Sequence, residues 1–185
     1  MFTGIVEYVS KMEIRGNTLV IENPFDDVKI GDSISVNGVC LTATAVGRYI
    51  TFTCGLETLK RTNLGIWNGR EANIERALPV NGRFDGHIVT GHIDGTIKFL
   101  KSLKERETTW MTFSMPRERW GIAEKGSIAI NGISLTIAKI DLDTFTVQVI
   151  PHTFENTNLR TLHPGDIVNY EIDVIARYLK GIYKG

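Results

Sequence analysis

The chain repeats itself, and that repetition constrains the fold more than any other feature. Ser33-Ile34-Ser35-Val36-Asn37-Gly38-Val39-Cys40-Leu41-Thr42 aligns with Ser127-Ile128-Ala129-Ile130-Asn131-Gly132-Ile133-Ser134-Leu135-Thr136 at an offset of 94, with six of ten positions identical. Glu57-Thr58-Leu59-Lys60-Arg61-Thr62-Asn63-Leu64 returns as His152-Thr153-Phe154-Glu155-Asn156-Thr157-Asn158-Leu159 at an offset of 95. Residues 69–75 return as 165–171 at an offset of 96, with Asn73 over Asn169 and Glu75 over Glu171. Matches that keep their order and nearly keep their spacing mark a tandem duplication. The 185 residues therefore divide into two small domains rather than one ordinary one.

Each copy reads as strands. Asn17-Thr18-Leu19-Val20-Ile21-Glu22, Tyr49-Ile50-Thr51-Phe52-Thr53 and Thr144-Phe145-Thr146-Val147-Gln148-Val149-Ile150 are rich in β-branched and aromatic residues. They alternate with period two and are punctuated by Gly and Asn. Strands this short, about ten residues apart, suggest two small closed antiparallel barrels. Short helices are expected over 57–62, its counterpart 152–157, and 116–124. A terminal amphipathic segment over 174–180 puts Ile175, Tyr178 and Leu179 on one helical face. The copies join near Asn81-Gly82-Arg83-Phe84-Asp85-Gly86. This gives a first barrel over 1–86, a second over 87–173, and a short helix over 174–185.

Charge and composition narrow the partners. Lys plus Arg number 21 and Asp plus Glu 21, so no net field favours nucleic acid or an anionic membrane. The start has no basic n-region and no stretch approaches a membrane span, so the chain is expected to be soluble and cytoplasmic. The two cysteines, Cys40 and Cys54, are read as free thiols. None of the four histidines combines with cysteine at zinc-site spacing, and H-E-x-x-H and Gly-rich phosphate loops are missing. Neither metal nor cofactor is expected.

The copies are most informative where they differ. Cys40 in one stands where Ser134 stands in the other. Residues at i and i+2 of a strand share a face, so Cys40 with Thr42, and Ser134 with Thr136, form matched polar pairs beside a glycine. Such a face suits a flat, polar heterocycle. The competing reading, Cys40 as a small buried hydrophobe and the threonines as ordinary strand residues, stays open on these residues alone. Gly86-His87-Ile88-Val89-Thr90-Gly91-His92-Ile93-Asp94-Gly95 carries two histidines five apart, which in extended chain point to opposite faces. Asp94 is placed to orient His92. Lys125 is either an anion partner or a solvated surface lysine, and Trp67, Trp110 and Trp120 are either stacking platforms or core.

Taken together, these motifs resemble riboflavin synthase. The resemblance is carried by the opening Met-Phe-Thr-Gly-Ile-Val-Glu, the Ser-Val-Asn-Gly-Val-Cys-Leu-Thr core, and Asn73-Ile74-Glu75-Arg76-Ala77-Leu78. Gly86 through Gly95, Gly132-Ile133-Ser134-Leu135-Thr136 and Ile150-Pro151-His152-Thr153 complete it, in order, from residue 1 to about 180. The resemblance implies an all-β chain of two six-stranded antiparallel Greek-key barrels with a short C-terminal helix. It also implies a homotrimer whose sites form between the first barrel of one subunit and the second barrel of a neighbour. The implied reaction is a dismutation of two molecules of 6,7-dimethyl-8-ribityllumazine into riboflavin and 5-amino-6-ribitylamino-uracil by transfer of a four-carbon unit, without cofactor. Holding two copies of one compound face to face converts a bimolecular encounter into an oriented one.

Carried over position by position, the first pocket comprises Gly4, Ile5, Val6, Ser33, Cys40, Leu41, Thr42, Thr53, Cys54, Gly55, Leu56, Glu57 and Thr58. The second comprises Gly91, His92, Ile93, Lys125, Ser134, Leu135, Thr136, Ile150, Pro151, His152, Thr153, Phe154 and Glu155. The chemistry needs proton removal from the acidic 7-methyl group and nucleophilic addition at a ring carbon. Cys40 and His92 are the implied candidates, with Ser134 and Thr136 stabilising or relaying protons. Two departures stand out. Relatives usually read Asp-Gly where this chain has Asn131-Gly132, and an amide cannot serve as a carboxylate base. Many relatives also continue past position 185 into a longer helix, so a weak trimer is expected. The alternative from another class is an antenna protein that holds a lumazine or flavin without turning it over; retention of Cys40, His92, Ser134 and Thr136 favours the enzyme.

Overall fold

The computed structural model describes residues 1–183, which form two closed six-stranded antiparallel barrels and a terminal helix. The first barrel is built from β1 (Tyr8–Arg15), β2 (Thr18–Glu22), β3 (Ser33–Val36), β4 (Val39–Val46), β5 (Tyr49–Thr53) and β6 (Glu71–Arg76). The second is built from β7 (Gly95–Glu105), β8 (Thr108–Ser114), β9 (Ser127–Ile130), β10 (Ile133–Ile140), β11 (Thr144–Val149) and β12 (Ile167–Ile172). Around the first barrel the strands run β1-β2-β5-β4-β3-β6; around the second they run β7-β8-β11-β10-β9-β12. The two orders are the same, with chain-distant strands made neighbours in the Greek-key manner. Even an irregularity is copied: β4 slips against β5 between Ala43 and Ala45, as β10 slips against β11 between Ile137 and Lys139.

Period-two alternation decides which side chains fill the barrels. Leu19, Ile21, Ile34, Leu41, Ile50 and Phe52 are buried in the first; Phe99, Phe113, Leu135, Phe145 and Val147 are buried in the second. The Phe113 and Phe145 rings stack at 5.7 Å between centroids. Closing each sheet removes its edges, so no strand among the described residues is left to template aggregation. After β5 comes α1 (Leu56–Arg61) and after β11 comes α2 (Pro151–Glu155), each followed by a short 3-10 turn. Thr62 and Thr157 cap those turns alike, each accepting from the second residue on, Leu64 or Leu159, at 3.4 Å. The helix expected over 116–124 shrinks to the 3-10 turn Arg119–Gly121. Gly121 lies so close to Ile172 that a Cβ there would be 2.4 Å from its Cγ2, and packing against β12 overrides the local helical pattern.

The barrels meet through six buried asparagines, three from each copy. Asn37, Asn63 and Asn73 correspond to Asn131, Asn158 and Asn169, and all are buried. The Asn63 amide N–H donates to Asn169 Oδ1 at 2.6 Å, and the Asn158 N–H donates to Asn73 Oδ1 at 2.8 Å. Asn63 Nδ2 donates to Asn131 Oδ1 at 3.0 Å, mirrored by Asn158 Nδ2 to Asn37 Oδ1 at 2.9 Å. Asn73 Nδ2 reaches the Asn131 carbonyl at 3.0 Å, mirrored by Asn169 Nδ2 to the Asn37 carbonyl at 2.8 Å. Side-chain amides suit this seam because each offers donors and acceptors without a charge to desolvate. Asn131, flagged above for replacing an acid, thus has a structural task. Arg70 and Asp166, equivalent positions in the two copies, close the seam with bonds of 2.9 and 2.6 Å.

The two Asn-Gly hairpin turns touch across the seam. Asn37 and Gly38 have φ of 49° and 82°, Asn131 and Gly132 have 45° and 79°, the left-handed pair that a tight two-residue hairpin demands. A Cβ on Gly132 would lie 2.7 Å from the Gly38 nitrogen. Gly132→Ala is therefore expected to destabilise the chain by about 2–4 kcal/mol in urea unfolding. Gly16→Ala, also at positive φ but with open space around it, is the control, expected to lose only about 1 kcal/mol. Equal losses would show that the turns do not press on each other.

The terminal helix α3 (Val174–Ile182) is capped by Asp173, which accepts from the Ile175 N–H at 2.9 Å. Arg177 fastens it to the second barrel through Asp94 at 2.8 and 2.9 Å. Its apolar face is the expected one, and Ile175, Tyr178 and Leu179 are all exposed on it.

Candidate functional site

Outward-facing rows cross each barrel next to the seam. Glu75 on β6 pairs with Ser35 on β3, which pairs with Cys40 on β4. Glu171 on β12 pairs with Ala129 on β9, which pairs with Ser134 on β10. Ser33 lies opposite Thr42, as Ser127 lies opposite Thr136. Burial alternates along β4 and β10, so Cys40, Thr42, Ser134 and Thr136 face away from the barrel cores while Leu41 and Leu135 point into them. Ala43 pairs with Phe52, which brings Thr53 beside Thr42 at the end of the ladder. A cleft of about 560 Å³ opens beside this row on the first barrel; Thr3, Ile5, Ser33 and Glu75 are in its wall, while Cys40, Thr42 and Thr53 are not. That volume suits a small heterocyclic ligand.

Over these rows lie two extended straps that precede the barrels, residues 2–4 and 87–91. Phe2 and Val89 exchange backbone bonds of 2.7 and 3.1 Å, and the His87 N–H donates to the Thr3 carbonyl at 3.1 Å. Thr3-Gly4 corresponds to Thr90-Gly91, at an offset of 87 that departs from the 94–96 of the other matches. Glu75 Oε1 accepts from the Thr3 N–H at 2.7 Å and from Thr3 Oγ1 at 3.1 Å, and both its oxygens reach the Gly4 N–H at 3.2 Å. Glu171 repeats this with Thr90 N–H at 2.7 Å, Thr90 Oγ1 at 2.6 Å and Gly91 N–H at 2.9 Å. The straps then cross over: the Gly4 carbonyl accepts from the Ser134 N–H at 2.8 Å, and the Gly91 carbonyl from the Cys40 N–H at 3.0 Å. Only glycine fits, since a Cβ on Gly91 would lie 2.5 Å from that of Cys40 and one on Gly4 would lie 2.7 Å from that of Ser134.

The two histidines of the second strap part company. His87 is buried, and its Nδ1 lies 2.6 Å from Ser134 Oγ. Burial pushes its pKa down, with the charge of Asp173 pulling the other way, so the ring favours the neutral form. A neutral imidazole against a serine hydroxyl is a proton-transfer arrangement, and which atom donates depends on the ring tautomer. Its Nε2 is buried without a hydrogen-bond partner among the described residues. His92 is exposed, its N–H bonded to Thr90 Oγ1 at 3.3 Å. Asp94, expected to orient His92, instead accepts from the Ile172 N–H and Arg177. Serving the helix cap region satisfies its carboxylate more fully than a solvent-facing imidazole could.

The remaining sequence candidates scatter more widely. Val6 and Ile93 are half-buried against the core, and Cys54 is buried, its thiol raised by desolvation. Gly55 caps α1, Leu56 and Glu57 are exposed, and the Glu57 carboxyl is held below its usual range by Arg61 one turn on. Lys125 is exposed with φ of 66°, and its N–H bonds the Ile137 carbonyl at 2.8 Å. Ile150 precedes α2 and is exposed, while Pro151, His152, Thr153, Phe154 and Glu155 form that helix. Trp67 is core rather than platform, donating from Nε1 to the Ile167 carbonyl at 2.9 Å.

The buried glutamates were legible as aligned residues but not as part of the site. Burial pushes the Glu75 carboxyl from 4.5 up to about 7, helped by the charge of Glu7 and opposed by the Thr3 and Gly4 donors. Burial raises Glu171 as well. The folded chain holds the Glu75 proton more tightly than the unfolded chain, so this contribution is fully present below 4.5 and is lost as pH rises through about 7. Glu75→Gln cannot titrate. Across that window it is expected to gain on the wild type by up to about 3 kcal/mol in urea unfolding, with Glu171 and His87 common to both curves. Parallel stability curves would rule this out.

Comparison with known proteins matches residues 3–77 and 90–173 to the lumazine binding domain family, once per barrel. Riboflavin synthase of Actinobacillus pleuropneumoniae is 43% identical over 97% of this chain and 88% of its own. The riboflavin synthases of Bacillus subtilis and Schizosaccharomyces pombe are 37% and 38% identical at similar coverage. The chain belongs to the riboflavin synthase family. It is an enzyme of transferase type, built from two lumazine binding domains. In shape it is similar to LumP complexed with riboflavin, with TM-score 0.84 and 26% identity over 93% of this chain and 99% of that one. LumP complexed with 6,7-dimethyl-8-(1'-D-ribityl) lumazine superposes at TM-score 0.82 with 24% identity, covering 92% of this chain and 98% of that one.

Proposed function

We propose that the chain converts two molecules of 6,7-dimethyl-8-ribityllumazine into riboflavin and 5-amino-6-ribitylamino-uracil. The four-carbon unit that one molecule loses is the unit the other gains, so no outside oxidant or reductant is needed. The observation that carries the reading is the doubled outward face: Ser33, Cys40 and Thr42 on one barrel, Ser134 and Thr136 on the other, related by the duplication. Two equivalent faces fit two copies of one compound. The break in equivalence fits their unequal roles as donor and acceptor. Relatives at 37–43% identity named riboflavin synthase support the same conclusion.

In this reading the Cys40 thiol adds across a ring C=N bond of one lumazine, sulfur to carbon and proton to nitrogen, and the reverse elimination regenerates the thiol. The Ser134 hydroxyl, held by neutral His87, takes part in removing the acidic 7-methyl proton of the other. His92 is open to a bound ligand, and Thr136 stands on the same face as Ser134. The chain works in the cytoplasm as a homotrimer. The uncovered Ile175, Tyr178 and Leu179 face supports association, and α3 spans only nine residues, which supports a weak one.

The test mixes the purified chain with the lumazine and a chelator and follows riboflavin. One riboflavin and one pyrimidine product per two lumazines is expected. Tight binding without turnover would favour the antenna reading instead. Specific activity is expected to fall on dilution alongside the sedimentation coefficient, and a monomer with full activity would remove the shared site.

A further inference from the structure

Sheet contiguity and hydrogen bonding make opposite statements about which glutamate serves which reactive position. Along the sheet, Glu75 shares a row with Cys40 of its own barrel, and Glu171 shares one with Ser134. The hydrogen bonds run the other way. Glu171 holds Thr90 and Gly91, and the Gly91 carbonyl receives the Cys40 N–H. Glu75 holds Thr3 and Gly4, and the Gly4 carbonyl receives the Ser134 N–H.

We propose that Glu171 is the positioning residue for Cys40 and Glu75 the positioning residue for Ser134, each acting on the other barrel through its Thr-Gly strap. Three features make the strap a rigid coupler. The carboxylate fixes two successive N–H groups and the threonine hydroxyl at once, so the strap cannot rotate about one bond. The glycine stands in the left-handed region at φ of 80° for Gly91 and 79° for Gly4, which turns its carbonyl toward the facing strand. Backbone there approaches backbone with no room for a side chain, so a shift of the strap is passed directly to Cys40 or Ser134. The Glu171 strap also sets the backbone of His92, whose N–H bonds the hydroxyl of Thr90. Each barrel's reactive strand is thus aligned by a segment of the other barrel, a division that two independent copies of an ancestral barrel would not need.

The inference rests on the reading of Cys40 and Ser134 as reactive positions, and its test avoids turnover. Cys40 is partly exposed while Cys54 is buried, so iodoacetamide labels Cys40 selectively on the full-length chain, with peptide mapping assigning the adduct. Glu171→Gln is expected to change the Cys40 alkylation rate about fivefold or more, the size of one lost hydrogen bond. Glu75→Gln is expected to leave it within about twofold. In a Ser134→Cys background the dependence of the new thiol reverses, following Glu75 and not Glu171. Thr90→Val removes the hydroxyl's bonds to Glu171 and to the His92 N–H but keeps both backbone bonds to Glu171, and it is expected to move Cys40 in the same direction as Glu171→Gln, with Thr90→Ser restoring the wild-type rate; it serves should Glu171→Gln not fold. Control of Cys40 by Glu75, or by neither glutamate in folded variants, overturns the proposal. A chain that shows the crossed pattern but makes no riboflavin would leave this inference standing and remove the functional reading; riboflavin without the crossed pattern would do the reverse.

Discussion

Cys40→Ala is expected to lower turnover on the order of 100-fold while ligand affinity changes little, and Ser134→Ala is expected to cost clearly less. The two positions are equivalent by duplication, and both receive a strap carbonyl on their N–H. Their side chains differ in chemistry. A thiol is the stronger nucleophile of the two, so its loss removes a reacting group rather than an orienting one. Ser134 is backed by His87 at 2.6 Å, and part of its proton-handling survives in the imidazole when the hydroxyl is lost. Steady-state kinetics beside ligand titration separates the outcomes: equal losses of turnover would sink the division of roles, and a parallel collapse of affinity would make Cys40 a binding residue.

Asn158→Ala is expected to destabilise the chain by about 3–5 kcal/mol, among the larger single-residue effects. Its amide donates to Asn37 Oδ1 at 2.9 Å and the Glu71 carbonyl at 3.2 Å, and accepts from Asn73 Nδ2 at 2.9 Å. Alanine leaves those partners buried without water to replace the lost bonds. The seam has little slack: Asn37 Nδ2 and Asn63 Oδ1 already lack partners among the described residues, where their counterparts Asn131 Nδ2 and Asn158 Oδ1 make a long bond of 3.4 Å. Asn156→Ala, two residues away and exposed, is the comparison, expected to change stability by less than about 1 kcal/mol. Urea unfolding that gives both variants the same midpoint would show that the asparagine seam does not hold the barrels together. Asn131 belongs to the same seam. Its Oδ1 accepts from Asn63 Nδ2 and the Asn169 N–H and its Nδ2 donates to Asn158 Oδ1, so the position is one of assembly.

The duplication, the strand character and the polar pairs on β4 and β10 were legible because each depends on short-range regularity. Period two assigns Cys40 and Thr42 to one face wherever the strand lies. The short apolar face of α3 was visible for the same reason. The sequence by itself therefore determined two like barrels and which polar residues of β4 and β10 share a face. Only the tertiary structure decided which residues meet. It brought His87 rather than His92 to Ser134, gave Asp94 to Arg177, gathered six asparagines into one seam, and turned two aligned glutamates into anchors for straps that cross between barrels. Those contacts join positions tens of residues apart through hydrogen bonds that leave no periodic mark on the chain, and their partners are set by how the barrels dock.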